Sequence, residues 1–268
     1  MAQTGAFQII GHRGVPCDAP ENSLAGFQRA MELGLTHVEC DLQLSRDGHV
    51  VLMHDRTVDR TTDGSGRLSY LTLDEIRGLD CGSWFHPRYA GERVPTLEEL
   101  LDVVGGECHA VLEIKEADRY VEATSRIAEV VEARGLVEQV SITSFYWEAL
   151  EEARRISPGI EVQALIHSLD GTVAVEGSPL PICYAGIDEL LADPRVNFVD
   201  VLCPRADDVN DRTVSLLKGL GFSVRAWGAR TDCRGEIMRL LRCGIDGMTV
   251  DHPEIVRAVC RQWRGPGS

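Results

Sequence analysis

A chain of 268 residues, 44% hydrophobic and 26% charged, has the make-up of one large globular α/β domain with a sizeable core. Forty-two acidic residues against 27 basic ones leave a formal charge of −15, and no Lys/Arg-rich run reverses it, which argues against a nucleic-acid partner. The nine cysteines follow no ligand spacing, no apolar run is long enough to span a bilayer, and the N-terminus lacks a signal-peptide pattern. A reducing, cytoplasmic setting without stable membrane insertion is therefore expected, and the oligomeric state is left open.

Short apolar runs bounded by polar or Gly-rich residues predict eight strands. Phe7 to Gly11 comes first, followed by a helix from Ser23 to Leu33 with Ser23 as its cap. His37 to Leu44 is second. From Asp55 to about His109 the chain is too long for one loop and its helix. Pro95 to Leu100 reads as the start of the delayed helix, with Pro95 near its N-terminus. About Val50 to Arg93 therefore reads as an excursion, rich in Gly, Thr and Asp, which would leave the barrel at its mouth as a lid or substrate wall.

Beyond it the strands Ala110 to Ile114, Val140 to Ser144 and Val162 to Ile166 alternate with helices Tyr120 to Arg134 and Trp147 to Ile156. The strands Phe198 to Leu202, Ser223 to Trp227 and Gly247 to Val250 alternate with helices Asp211 to Leu220 and Arg234 to Cys243. Gly135, Gly221 and Gly244 stand where helix C-termini favour glycine. Eight strand–helix units predict a (β/α)8 TIM barrel, residues 1–268 forming one domain with a small insertion after the second strand. A Rossmann sheet is disfavoured, because no GxGxxG follows the first strand.

The polar residues inside these strands carry the chemistry. Residues i and i+2 share a strand face, so Glu39 and Asp41 project together while Cys40 turns towards the helices. Glu113 and Lys115 repeat the alternation, and His12-Arg13 and His54-Asp55 stand near strand ends, where barrel sites collect residues. Three carboxylates at one point need a cation, and all-oxygen donors suit a hard ion, Mg²⁺ or Ca²⁺, better than zinc. Three carboxylates and a divalent ion sum to about −1, and Arg13 with Lys115 bring the total to about +1. That charge matches a singly charged anion such as a phosphodiester. His12 and His54 would move the protons, since imidazole titrates near neutrality. His37, His49, His86, His109, His167 and His252 read as structural.

At these residues the chain resembles the glycerophosphodiester phosphodiesterase family. The resemblance rests on Gly11-His12-Arg13-Gly14, Pro20-Glu21-Asn22-Ser23, Glu39-Cys40-Asp41-Leu42, His54-Asp55, Arg60-Thr61-Thr62 and Leu112-Glu113-Ile114-Lys115. It also rests on Leu79 to Phe85, Val94 to Glu99, Ser144-Phe145, Trp227 and Gly244-Ile245-Asp246-Gly247; it is dense to about Lys115 and thinner beyond. It implies a barrel enzyme with a metal on Glu39, Asp41 and Glu113, His12 and His54 as general base and acid, and Arg13 and Lys115 on the phosphate. Trp227 would wall the glycerol site. The implied reaction is attack by the substrate's own glycerol hydroxyl, then hydrolysis of the cyclic phosphate to glycerol 3-phosphate.

Two stretches depart from the family pattern. Trp-Thr-Val-Asn is replaced by Trp227-Gly228-Ala229-Arg230, and the aspartate-tyrosine-proline end of the last strand by Asp251-His252-Pro253. Trp84, Phe85 and Tyr89 are expected to form an apolar lip near the leaving alcohol or else a small insertion core. Cys17, close to His12, is an expected point of sensitivity to thiol reagents. The alternatives are a lysophospholipase D-type activity on single-chain lysolipids and a non-catalytic glycerophosphodiester-binding protein.

Overall fold

The computed structural model describes residues 7–116, 118–169 and 183–264. The first strand, β1 (Gln8–Gly11), leads to α1 (Leu24–Glu32), whose N-terminus is closed by the Ser23 hydroxyl accepting from the Gly26 N–H. Gly14, at a φ of 92°, lets the connecting loop lie on this helix: a side-chain carbon there would sit 2.7 Å from the Gly26 backbone. Then follow β2 (His37–Leu44), a short β3 (Val50–Leu52), α2 (Leu73–Arg77) and α3 (Leu97–Val104). Thr96 and Glu99 build a capping box at the start of α3, so that helix begins just after Pro95.

The remaining elements alternate: β4 (His109–Ile114), α4 (Tyr120–Ala133), β5 (Val140–Ser144), α5 (Trp147–Ile156), β6 (Glu161–Ile166) and α6 (Ile187–Ala192). They continue with β7 (Val201–Pro204), α7 (Asp211–Gly219), β8 (Ser223–Ala226), α8 (Arg234–Cys243), β9 (Gly247–Val250) and α9 (Pro253–Arg264). All strands but β3 run parallel, and β1 pairs with both β2 and β9, which closes the expected (β/α)8 barrel. Gly135, Gly221 and Gly244 all take positive φ after α4, α7 and α8.

Two details differ from the sequence expectation. Val50 to Leu52 is a strand, antiparallel to β2 with Leu42 opposite Leu52, so the excursion begins by extending the sheet. Phe198 belongs to a 3-10 turn, Pro194–Phe198, capped by Asp193, rather than to a strand. The chain rejoins the barrel only at Val201, after the Asp200 carboxylate has accepted from the Val162 N–H.

The main core lies between the barrel and its helices, with Phe27 and Trp147 fully buried. Each such side chain contributes about 1.5–3 kcal/mol by burial. Between β2 and α3 the excursion has an aliphatic core of its own, built on Val51, Met53, Val58, Leu68, Ile76, Cys81 and Val94. Trp84, Phe85 and Tyr89 are outside it. They stack edge to face, and the Tyr89 hydroxyl donates to the Asp18 carbonyl at 2.8 Å, so they brace the loop after β1.

Candidate active site

The carboxylates converge because of register. Asp41 on β2 stands directly opposite Glu113 on β4, and Glu39 is one layer lower on the same face as Asp41. Each of the three offers an oxygen within 4.8 Å of the others, and all three are buried. Cys40 packs into the main core, as its position between them requires.

Two non-glycine residues with positive φ, Arg13 at 51° and Asn22 at 52°, shape the loop over this cluster. The Asn22 N–H donates to the Arg13 carbonyl at 3.0 Å. The Asn22 amide clasps Asp41 from both sides, Nδ2 donating to Oδ2 at 2.8 Å and Oδ1 accepting from the Asp41 N–H at 3.1 Å. The Arg13 N–H donates to Glu39 Oε2 at 3.0 Å, and its guanidinium lies against Asp41 and Glu21 at 3.0 and 2.8 Å. Lys115 Nζ enters from β4's end, 2.7 Å from Glu113 Oε1 and 3.2 Å from Asp41 Oδ1.

Each proposed proton carrier is gripped through Nδ1. His12 follows β1 and meets Asp251 Oδ1 at 2.7 Å, just beyond β9; His54 meets Asp55 Oδ1, also at 2.7 Å. The turn holding His54 is fixed by buried Gln43, whose amide nitrogen lies 2.8, 3.2 and 2.6 Å from the carbonyls of Met53, His54 and Asp55. With Nδ1 engaged, Nε2 is the ring nitrogen left to each histidine.

His12, Arg13, Glu39, His54, Glu113, Lys115 and Trp227 all line one cavity of 240 Å³ at the C-terminal end of the barrel. Asp41 alone of the sequence-selected residues sits behind its wall, 1% exposed. Trp227 is fixed by donating Nε1–H to the Ile166 carbonyl at 3.0 Å, and Phe145 meets its ring edge-on at 5.1 Å. Trp84, Phe85 and Tyr89 do not line this cavity. Arg230 is exposed and outside it too, while His252 Nδ1 is 3.3 Å from Thr231 Oγ1. Burial and Asp18 push the Cys17 thiol up to about 11, which argues against a reactive thiolate there.

The charges do not titrate as free groups. Burial, together with Asp41, pushes Glu39 up to about 8. Burial opposes ionisation of Asp41 as well, but Lys115 and Arg13 outweigh it and hold that carboxyl well below the usual range. Burial pulls His12 down, yet the Asp251 bond and the Glu39 charge outweigh it and leave His12 raised. Burial and Lys115 lower His54 despite Asp41 and Asp55. Two imidazoles pushed apart in this way suit opposite proton-transfer roles.

The sequence reading gave no role to Asn22, Glu21, Asp55, Arg60 or Asp251. Asp251 had one legible signal, its place directly after the last strand. Asn22 had none beyond the type of residue that tolerates a left-handed backbone.

A closed barrel with this density of charge at the C-terminal mouth is of the enzyme class that works from its βα loops. A sequence profile of the glycerophosphoryl diester phosphodiesterase family matches residues 12–255, and the chain belongs to that family. It is 31% identical over 262 residues to the glycerophosphodiester phosphodiesterase of Caldanaerobacter subterraneus subsp. tengcongensis, covering 95% of this chain and 98% of that one. An Oleispira antarctica phosphodiesterase, solved in complex with the product sn-glycerol-3-phosphate, superposes with a TM-score of 0.80 at 28% identity. That match covers 94% of this chain and 96% of the other. The glycerophosphodiester phosphodiesterase of Agrobacterium tumefaciens shares the fold, with a TM-score of 0.76 at 24% identity over 94% of this chain and 99% of the other.

Proposed function

We propose that this protein hydrolyses small glycerophosphodiesters to glycerol 3-phosphate and an alcohol, with Glu39, Asp41 and Glu113 holding a divalent ion. The observation that carries the reading is the meeting, in one cavity, of two carboxylate-held histidines with a three-carboxylate cluster and two cations. The ion fits the residues. Glu39 Oε1 is buried with no hydrogen-bond partner among the described residues, and the donors are all carboxylate oxygens, as Mg²⁺ or Ca²⁺ prefers. When bound, such an ion draws charge from the phosphate oxygens.

The chain's own groups do the rest. Arg13 and Lys115 orient the phosphate, and Trp227 with Phe145 walls the glycerol. In the first step one imidazole takes the glycerol hydroxyl proton as that oxygen bonds to phosphorus. The other protonates the departing alcohol oxygen as its bond to phosphorus breaks. In the second step the rings exchange roles: water loses its proton while attacking, and the opened ring oxygen gains one. The family resemblance assigns His12 as first base and His54 as first acid. Without ion or substrate His12 is raised and His54 lowered, the reverse of that order. The order therefore requires His12 to fall once a cation takes up the Glu39 charge and His54 to rise once the phosphate anion offsets Lys115.

We treat the chain as one domain with an insertion at about Val50 to Arg93. We place it in the cytoplasm on the thiol chemistry of its cysteines. No helix among the described residues is long and apolar enough to cross a membrane. The deciding assay is release of glycerol 3-phosphate from glycerophosphocholine after EDTA treatment, then with Mg²⁺ or Ca²⁺ restored. Ion-dependent release supports the reading. Cleavage of lysophosphatidylcholine alone would replace it with a lysolipid activity, and tight binding without turnover with a sensing role.

A further inference from the structure

Arg60 and Glu21 connect the two halves of the site. Arg60 belongs to the excursion, between β3 and α2, and lies outside the cavity lining. Its guanidinium forks onto Glu21, Nη1 donating to Oε2 at 2.7 Å and Nη2 to Oε1 at 2.8 Å. The same guanidinium donates through Nε to Asp55 Oδ2 at 2.6 Å and through Nη2 to Asp55 Oδ1 at 3.1 Å. Glu21 in turn accepts from Arg13 Nη1 at 2.8 Å, and Asp55 holds His54 Nδ1 at 2.7 Å. An unbroken chain of charged groups thus runs Arg13, Glu21, Arg60, Asp55, His54.

We propose that Arg60 and Glu21 are positioning residues that hold His54 and Arg13 in one frame, so that the excursion acts on the site through a single guanidinium. The proposal rests on the reading above that His54 and Arg13 serve the reaction. Its physical basis is geometric. Arg60 spans two carboxylates with a planar fork, which a lysine ammonium, as a point charge, cannot reproduce. Glu21 is the shared partner of both arginines, and its side chain is only 12% exposed. Without Arg60, Asp55 and Glu21 lose their common cation, and Asp55 is free to turn away from Nδ1. The imidazole then loses the bond that sets its tautomer and direction. Arg60 itself is 44% exposed at the side chain, so its replacement removes little packing.

The test uses Arg60→Gln, Arg60→Lys, Asp55→Asn and the Arg60→Gln/Asp55→Asn double variant of the full chain, at saturating divalent ion. Removal of an orienting partner costs on the order of 10- to 100-fold in activity. That loss is expected in kcat for Arg60→Gln, with KM nearly unchanged and Arg60→Lys recovering only part. Adding Arg60→Gln to Asp55→Asn should cost much less than Arg60→Gln costs the wild type, since the arm through the imidazole is already lost and only the Glu21–Arg13 arm remains. His54 is faced by Lys115, Asp41, Arg13 and Asp55, and the Asp55 bond is one of the contacts that raise it, so losing that bond should lower its pKa further. That shift is read by NMR titration of the ring and by the pH profile of kcat. A folded Arg60→Gln variant with wild-type kcat and an unmoved His54 resonance overturns the proposal. If the wild type turns over no substrate, the functional reading fails instead, and the His54 titration alone still decides whether Arg60 positions the ring.

Discussion

His12 Nδ1 and Asp251 Oδ1, separated by 239 positions in sequence, lie 2.7 Å apart, so the first and last barrel strands meet in a hydrogen bond at the site. The seam of the barrel is where one proposed proton carrier is oriented. Asp251→Asn should leave the barrel folded, lower the His12 pKa, and reduce kcat about 10- to 100-fold. NMR titration of His12 beside steady-state kinetics checks this; an unchanged His12 pKa would contradict the assignment.

Ion binding should release a proton. Burial and Asp41 raise Glu39, and an ionised Glu39 raises His12, so without an ion these neighbours hold a proton between them that a cation displaces. Affinity for Mg²⁺ or Ca²⁺ should therefore rise with pH up to about 8, roughly tenfold per unit for one released proton. Calorimetry in buffers of different ionisation enthalpy counts that proton. Glu39→Gln should abolish both the release and most of the affinity.

Asn22 serves two needs at once, a left-handed backbone and a clasp on Asp41. Asn22→Ala keeps the strain and loses the clasp, with a cost of about 1–3 kcal/mol. Asn22→Gly relieves the strain but still loses the clasp. Both should bind the ion more weakly than wild type, and only the alanine variant should show the full loss in urea unfolding.

At the opposite end of the barrel, burial and the nearby charges of His109 and Arg225 lower His37 to about 4. The folded value lies below the unfolded one of about 6.5, so between those values the unfolded chain binds more protons. Stability conferred by neutral His37 is complete above about 6.5 and is lost as pH falls towards 4. Urea midpoints measured at several pH values should drop across that window, and His37→Gln should drop less.

The ligand-type residues were legible because strand alternation is strict: Glu39 with Asp41, and Glu113 with Lys115, announce a shared face from two letters of spacing. Trp227 was legible only through the family resemblance, since a strand-end aromatic has no spacing of its own to announce it. The partners that orient them were not. Glu21 and Arg60 are 39 positions apart and meet only because the excursion folds back over the loop after β1. Nothing local in Asp59-Arg60-Thr61 encodes that meeting. The start of β7 was misread because Phe198 and Val199 are as apolar as a strand, and only the Asp193 cap and Pro194 show that a turn comes first. Val50 to Leu52 was too short a run to separate from loop.

The excursion's aliphatic cluster is distinct from the core beneath the barrel, so its opening has its own free energy. Warming or mild denaturant can release it, and with it the guanidinium behind His54, while the eight parallel strands remain paired. Turnover and global unfolding then become two separate transitions, and the lifetime of this molecule as a working machine is set by its smaller part.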